Sequence, residues 1–300
     1  MGLIFLFIDG IGLGSPGIRN PFESNTLPGF SMLTAGQKMT ASSDRINETG
    51  HQYKAIDARM KVDGLPQSGT GQAALFSGKN ASEIIGRHFG PYPHSAIRYL
   101  LEEQSLFIKA CEQNLTTHFI NAYPDIFFER ASARNRWSCT TLMTRSAGLA
   151  LNRVDDVLKG VAVTAEIMQD VWRSQLSLEV HEITPAVAAG RVVNKAQKYD
   201  LVLYEYYLTD KAGHSMDPEM AVWALERLDA FILAILRLMD TSTDTLLLTS
   251  DHGNLEDLGI KTHTLNDIPL VAIGKHARDF SEVKSITDIT PAILSSLQPK

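Results

Sequence analysis

Leu201-Val-Leu-Tyr-Glu-Tyr-Tyr-Leu-Thr-Asp-Lys-Ala-Gly-His-Ser-Met-Asp-Pro218 is the stretch that decides the fold. Its opening, Leu201–Tyr206, is an apolar run without strict alternation, as expected of a strand covered on both faces. Its end carries a helix start: Asp217 is a good N-cap and Pro218 suits the first helical position. The residues that follow place Ala221, Leu225, Leu228, Ile232, Ile235 and Met239 on one helical stripe. A strand leading through a short polar turn into a long amphipathic helix is the unit of a doubly wound sheet.

The same unit recurs along the chain. Leu3–Ile8, His118–Ala122, Thr245–Thr249 and Ile268–Ile273 read as further strands, and Tyr99–Gln113, Asp155–Arg173 and Val187–Gln197 as amphipathic helices. The expected fold is α/β, with a mostly parallel central sheet and helices on both faces. We find neither a repeat nor a linker, so residues 1–300 are expected to form one domain, with a small lid over the site within residues 86–136. In such sheets ligands bind outside the carboxyl ends of the strands, which is where the chemistry is sought.

Composition narrows the function classes. The chain has 300 residues, 44% hydrophobic and 21% charged, with a net charge of −6. These values fit a globular protein and give no general attraction to nucleic acid or an anionic membrane surface. The apolar run Leu3–Ile8 is too short for a signal peptide, and no run is long enough for a membrane span. Cys111 and Cys139 form neither a metal motif nor a disulfide framework. A cytoplasmic enzyme with reduced thiols and a small-molecule substrate is expected.

The strand ends carry ligand-type residues. Asp9 follows the first strand. Asp210 and His214 follow Leu201–Tyr206, four apart, on one face of a helical turn. Asp251 and His252 follow Thr245–Thr249, with Gly253 permitting an irregular turn. His263 lies just before Ile268–Ile273. Taken singly, an aspartate after a strand is usually a cap and a histidine usually an ordinary surface or core residue. Together, three carboxylates and three imidazoles at one sheet edge would repel and lose hydration unless cations joined them. Mixed N/O ligands suit two divalent ions, zinc or manganese, or else magnesium. A second signal is Gly64-Leu-Pro-Gln-Ser-Gly-Thr-Gly71, where a helix starts among small residues and offers two hydroxyls, Ser68 and Thr70. A hydroxyl at a helix start beside a metal can attack phosphorus, although both are also favoured caps.

These pieces resemble the alkaline phosphatase superfamily, and within it cofactor-independent phosphoglycerate mutase and phosphopentomutase. The resemblance runs over Phe5–Gly14, Gln67–Gly71, Tyr204–His214, Ala224–Asp229, Ser250–Glu256 and Thr262–Pro269. It implies that Asp210, His214 and His263 hold one metal, that Asp9, Asp251 and His252 hold the other, and that Ser68 is the nucleophile, with Thr70 the alternative. Arg87, His88 and Lys211 become candidates for contacting the substrate. Two departures stand out. Gln72 occupies the position where the mutases carry histidine, and only about 140 residues separate Ser68 from Asp210, too few for the mutases' inserted domain. A compact hydrolase of phosphate esters is therefore expected. The alternatives are a phosphomutase of the phosphoglycerate or phosphopentose type, a sulfatase or a phosphodiesterase. More distant readings are a non-catalytic metal-binding protein or a nucleotide-binding one, the latter from Gly12-Leu-Gly-Ser-Pro-Gly17, a literal G-x-G-x-x-G.

Overall fold

The structure, a computed structural model, describes residues 2–298. Seven strands form one sheet: β1 (Leu3–Ile8), β2 (Ile46–Glu48), β3 (His51–Ile56), β4 (Thr117–Phe119), β5 (Leu201–Tyr206), β6 (Thr245–Thr249) and β7 (Ile268–Gly274). Their order is β2-β3-β7-β6-β1-β5-β4. The central strands β6, β1 and β5 are parallel, as their unbroken apolar runs imply, and β4 continues them in parallel at the sheet's edge. β7 runs antiparallel to both β6 and β3. That reversal turns the start of β7 toward the edge where β1, β5 and β6 end.

β1 shows why the sheet is covered on both faces. Every one of its side chains is buried. Leu3, Phe5 and Phe7 enter one core, where Phe76 from the helix Ser68–Ser77 packs edge-on to Phe7 at 5.3 Å. Ile4, Leu6 and Ile8 enter the other, against the helices Pro185–Ala196 and Pro218–Leu238. The long helix begins as its sequence dictates, with Asp217 accepting a hydrogen bond from the Glu219 amide. Its stripe Ala221, Leu225, Leu228, Ile232 and Ile235 is buried. Asp229 interrupts that apolar face for a structural reason. Its Oδ1 accepts from the Phe30 amide at 2.9 Å, at the start of the helix Pro28–Leu33.

Four readings need correction. The helix expected over Tyr99–Gln113 is two helices, Arg98–Glu102 and Leu106–Glu112, because Ser105 takes extended dihedrals and starts the second. The helix expected over Asp155–Arg173 is also two, Val154–Leu158 and Asp170–Leu176. Gly160 lies in the left-handed region after the first, and Val163 bridges to Asn121 as an extended residue. β4 stops at Phe119, two isolated bridges at Asn121 and Ala122 continuing its path. β2 and β3 are additional strands that the sequence reading did not place. The G-x-G-x-x-G match opens no helix: the next one, Pro21–Ser24, comes later and has 4 residues. No described helix is long and apolar enough to cross a membrane.

His118 on β4 gives a test of the fold distant from the sheet edge just described. Its ring stacks on Tyr199 at 4.9 Å, and its Nε2 is buried with no hydrogen-bond partner among the described residues. Burial, reinforced by Lys195 and opposed by Asp156, pushes the imidazole down to about 4. The unfolded chain then takes up a proton below about pH 6.5 that the native state refuses, so stability falls as pH drops from there toward 4. His118→Phe should remove up to about 1.4 kcal/mol per pH unit of that dependence. Denaturant unfolding of both proteins at pH 7 and pH 5 measures it. Identical pH dependence would show that His118 is not held neutral.

Candidate metal centre

The site is assembled where β1, β5 and β6 end and β7 begins. Asp9 follows β1, its amide extending the ladder to the Tyr206 carbonyl at 2.9 Å. Asp210 and His214 lie one turn apart on the helix Leu208–Ser215 that leaves β5. Asp251 and His252 follow β6, and His263 precedes the antiparallel β7. Gly10 has φ +74, and a Cβ there would lie 2.7 Å from the Asp210 Cβ. Only glycine lets the chain leave Asp9 while the Asp210 helix approaches this closely. Gly253 serves differently from the expected turn. A Cβ there would meet Glu256 and Thr264 side-chain oxygens at 2.2 Å, so its need is space rather than an unusual backbone angle.

Two clusters result. In the first, Asp210 Oδ2 lies 3.4 Å from His214 Nε2, and Asp210 Oδ1 lies 3.4 Å from His263 Nε2. The two Nε2 atoms are 3.1 Å apart. In the second, His252 Nε2 lies 3.2 Å from Asp9 Oδ1 and 3.5 Å from Asp251 Oδ2. Within each trio the ligand atoms fall within 4.8 Å of one another. The clusters share a wall, His252 stacking on His263 with centroids 3.8 Å apart.

The donor chemistry fits divalent cations. His214 Nδ1 lies 2.8 Å from the Lys261 carbonyl and His263 Nδ1 2.6 Å from the Pro66 carbonyl. A carbonyl can only accept, so the hydrogen-bond pattern assigns the proton of each ring to Nδ1. Two Nε2 lone pairs then face each other beside a carboxylate, an arrangement that a cation relieves and that orients metal-ligating histidines generally. In the second cluster the buried Asp9 Oδ1 has no hydrogen-bond partner among the described residues. Burial first, then the charges of Asp251, Asp210 and Glu205, lift the Asp9 carboxyl well above the usual carboxylate range.

Other side chains hold the ligands in place. Gln72 Nε2 bridges Asp9 Oδ2 at 3.0 Å and Asp251 Oδ2 at 3.2 Å. Asn254 Nδ2 donates to Asp210 Oδ1 at 2.6 Å. Glu256, buried, accepts from the amides of Gly12 at 2.9 Å and Asn254 at 2.7 Å, from Asn266 Nδ2 at 3.0 Å, and from the Thr264 hydroxyl. That one carboxylate thus ties the loop after β1 to the loop after β6 and the segment before β7.

The two hydroxyls have different surroundings. Ser68 is the first residue of its helix, and its Oγ lies 3.0 Å from His252 Nε2 at the foot of an open cavity. Thr70 is fully buried. Its Oγ1 donates to the Gln67 carbonyl at 3.2 Å and accepts from the Phe89 amide at 3.1 Å, fixing the turn that follows the helix. Lys211 is exposed and lines the cavity. Arg87 and His88 do not. Arg87 lies over the Phe89 ring at 5.7 Å, and His88 is held between the Ser82 hydroxyl and the Val62 carbonyl. The helix Ala81–Ile85 and its glycine cap place them outside the cavity's lining.

Glu205 was overlooked in the sequence. It is buried near the end of β5, accepts from Thr140 Oγ1 at 2.7 Å, and lines the same cavity. Burial above all, with help from Asp251 and against the hydrogen bonds of Thr140 and Tyr123, pushes its carboxyl up to about 7. A lone acid inside an otherwise apolar strand was the available signal.

The comparisons follow this geometry. The Metalloenzyme superfamily pattern matches residues 173–300. The 2,3-bisphosphoglycerate-independent phosphoglycerate mutase of Methylobacillus flagellatus is 29% identical over 131 residues, 41% of this chain and 25% of that protein. That of Vibrio vulnificus is 35% identical over 108 residues, 34% of this chain and 21% of that protein. The matches therefore span about a quarter of the length of these relatives. Among solved structures, alkaline phosphatase from the Antarctic bacterium TAB5 aligns with a TM-score of 0.59 at 12% identity, covering 99% of this chain and 98% of that one. Phosphoglycerate mutase of Leishmania mexicana aligns at 0.52 with 11% identity, covering 100% and 96%. The fold is alkaline-phosphatase-like across the chain. Within that fold, residues 173–300, which carry Asp210, His214, Asp251, His252 and His263, are the part similar to the Metalloenzyme superfamily.

Protein stripped of metal and reloaded should bind two equivalents of a divalent ion, and Asp210→Asn should reduce this to one. At a hundredfold excess over the dissociation constant each ion should add about 2.7 kcal/mol of stability. Elemental analysis and thermal melting measure both. Wild-type protein that takes up no zinc, manganese or magnesium at neutral pH would contradict the assignment.

Proposed function

We propose that this chain is a two-metal hydrolase of phosphate esters that works through a phosphoryl group carried on Ser68. The observation that carries the reading is the position of Ser68 Oγ, 3.0 Å from His252 Nε2 and open to the cavity, beside the trio Asp9, Asp251 and His252. Asp210, His214 and His263 would hold one divalent ion, and Asp9, Asp251 and His252 the other. Bound there, the ions supply positive charge on both sides of an in-line displacement, at the attacking and at the leaving oxygen.

The chain's own residues do the rest. Ser68 Oγ attacks phosphorus, the ester oxygen departs with the alcohol, and water later cleaves the serine phosphate. Ser68 begins a helix of 10 residues, whose N-terminal dipole favours the anionic phosphoryl group. Gln72 keeps Asp9 and Asp251 side by side, so that both point at one position. Lys211, exposed on the cavity wall, is placed to meet a substrate anion. The reduced thiols Cys111 and Cys139 go with a cytoplasmic location.

A second reading draws on the relatives, which are phosphoglycerate mutases. In it the Ser68 phosphoryl group returns to a different hydroxyl of the same alcohol instead of passing to water. The two readings share every residue and differ in the acceptor, so products separate them. Inorganic phosphate released from a chromogenic ester supports the hydrolase, and an isomerised ester without phosphate release supports the mutase.

Ser68→Ala should lower turnover by on the order of 10³-fold or more while substrate binding survives, because the ions still hold the phosphate. Thr70→Ala should change turnover much less, its hydroxyl being spent on the Gln67 carbonyl and the Phe89 amide. Labelled substrate should leave its phosphate on Ser68 after acid quenching. Full activity in Ser68→Ala would remove the covalent step.

A further inference from the structure

The cavity above Ser68 has a volume of about 810 Å³. That is the size of a site for a large organic ligand, whereas the five non-hydrogen atoms of a phosphate group occupy only its metal end. The remaining space has a definite chemistry. One wall is the helix Asp125–Ala133 and the turn after it, and the facing wall is the segment from Ala165 to Leu176. Phe127, Trp172 and Trp223 line it, as do Tyr92, Ile126 and Tyr207, three of the large apolar side chains that this chain leaves exposed. Scattered apolar exposure needs no explanation, but its concentration in one concave surface does.

Charge gives the second observation. Arg130, Arg134 and Arg136 all line the cavity and all are exposed. Among the described residues none of the three pairs with a carboxylate. Nearby arginines do: Arg227 with Asp170 at 2.6 Å, Arg153 with Asp125 at 2.8 Å and Arg173 with Glu182 at 2.7 Å. Arg136 instead lies over the Tyr92 ring at 5.1 Å. On a chain of net charge −6, three unpaired guanidinium groups on one rim form a local anion site, suited to carboxylate or phosphate by their planar donors. The acids deeper in the cavity do not cancel it. Asp9 and Asp210 are taken up by the metal clusters, and burial pushes both Glu166 and Glu205 upward, toward the uncharged form.

Building on the phosphate-ester reading above, we propose the substrate class: a phosphate monoester whose alcohol portion carries a flat ring and, beyond it, a second anionic group. The ring lies against Phe127, Trp172 and Trp223, and the far anion meets Arg130, Arg134 and Arg136. These residues select the substrate, and the residues at the sheet edge transfer its phosphoryl group.

The test compares phenyl phosphate with 4-carboxyphenyl phosphate and 4′-carboxybiphenyl-4-yl phosphate, two carboxylated esters of different reach with similar phenol leaving groups. At one or both lengths the carboxylate should lower KM by about tenfold, the worth of one good charge-assisted contact. The variant Arg130→Ala/Arg134→Ala/Arg136→Ala should erase that advantage, leaving kcat and the KM for phenyl phosphate within about twofold. All three side chains are exposed, so the fold should tolerate their loss. The matching benzyl and carboxybenzyl phosphonates, titrated by fluorescence of Trp172 and Trp223, read the same preference without turnover. Charge-selective phosphonate binding with no turnover of any ester would sink the Ser68 mechanism and leave the rim assignment standing. Turnover with no carboxylate advantage at either length, or an equal loss for charged and uncharged ligands in the variant, would overturn the rim assignment and leave the mechanism standing.

Discussion

Asp9 and Asp251 are buried side by side, and much of this structure is arranged around that fact. Two carboxylates taken out of water repel each other and forgo hydration, each a cost of several kcal/mol if nothing compensates it. Gln72 offers one answer, its amide donating to both. It covers one oxygen of each carboxylate and leaves Asp9 Oδ1 without a hydrogen-bond partner. His252 faces that oxygen from the opposite side, and the imidazole pair His214 and His263 faces Asp210 in the same manner. The fold thus gathers at this edge groups whose mutual repulsion a cation would relieve. The carboxylate of Glu256 then locks the three loops that bear them.

The central sheet and the clustering of the candidate ligand residues were legible because each rests on a short-range signal. Leu3–Ile8, Leu201–Tyr206 and Thr245–Thr249 are apolar runs that can only be covered strands, and the structure gives them those same bounds. The direction of β7 was not legible. Its composition is that of a parallel strand, and only its pairing with β3 and β6 makes it antiparallel. His263 nevertheless lands with the others, because a residue before an antiparallel strand lies at the same edge as residues after parallel ones. β2 and β3 escaped notice for a physical reason. They sit at the sheet margin, where β2 is partly exposed and β3 mixes His51, Gln52 and Lys54 with apolar residues, so neither has the period of a covered strand.

Where sequence reasoning failed, the missing information was long-range. Arg87 and His88 follow the helix Ser68–Ser77 closely in sequence, but the short helix Ala81–Ile85 carries them away from the cavity. Glu205 is the converse. It is five positions before Asp210, yet a strand running straight to the sheet edge brings it to the same cavity, where Thr140 from a distant helix meets it. The segment 159–169 looked helical because its apolar residues recur at helical spacing. It is irregular because Ile167 and Gln169 take left-handed backbone angles, conformations that an isoleucine adopts only when its surroundings dictate it. For Ile167 those surroundings are a large core on one face of the sheet, and for Gln169 the His181 carbonyl and Arg191.

This contrast divides the molecule by the strength of its support. The sheet edge that holds the ligands is backed by the two large cores on either face of β1. The wall built from residues 165–176 joins one of those cores through Ile167 and Met168, and a smaller cluster of Ala122, Val157, Ala162 and Val180 through Trp172. The candidate ligands thus come from strand ends, where the chain is most regular, and the cavity wall from the segment that departs most from regular structure.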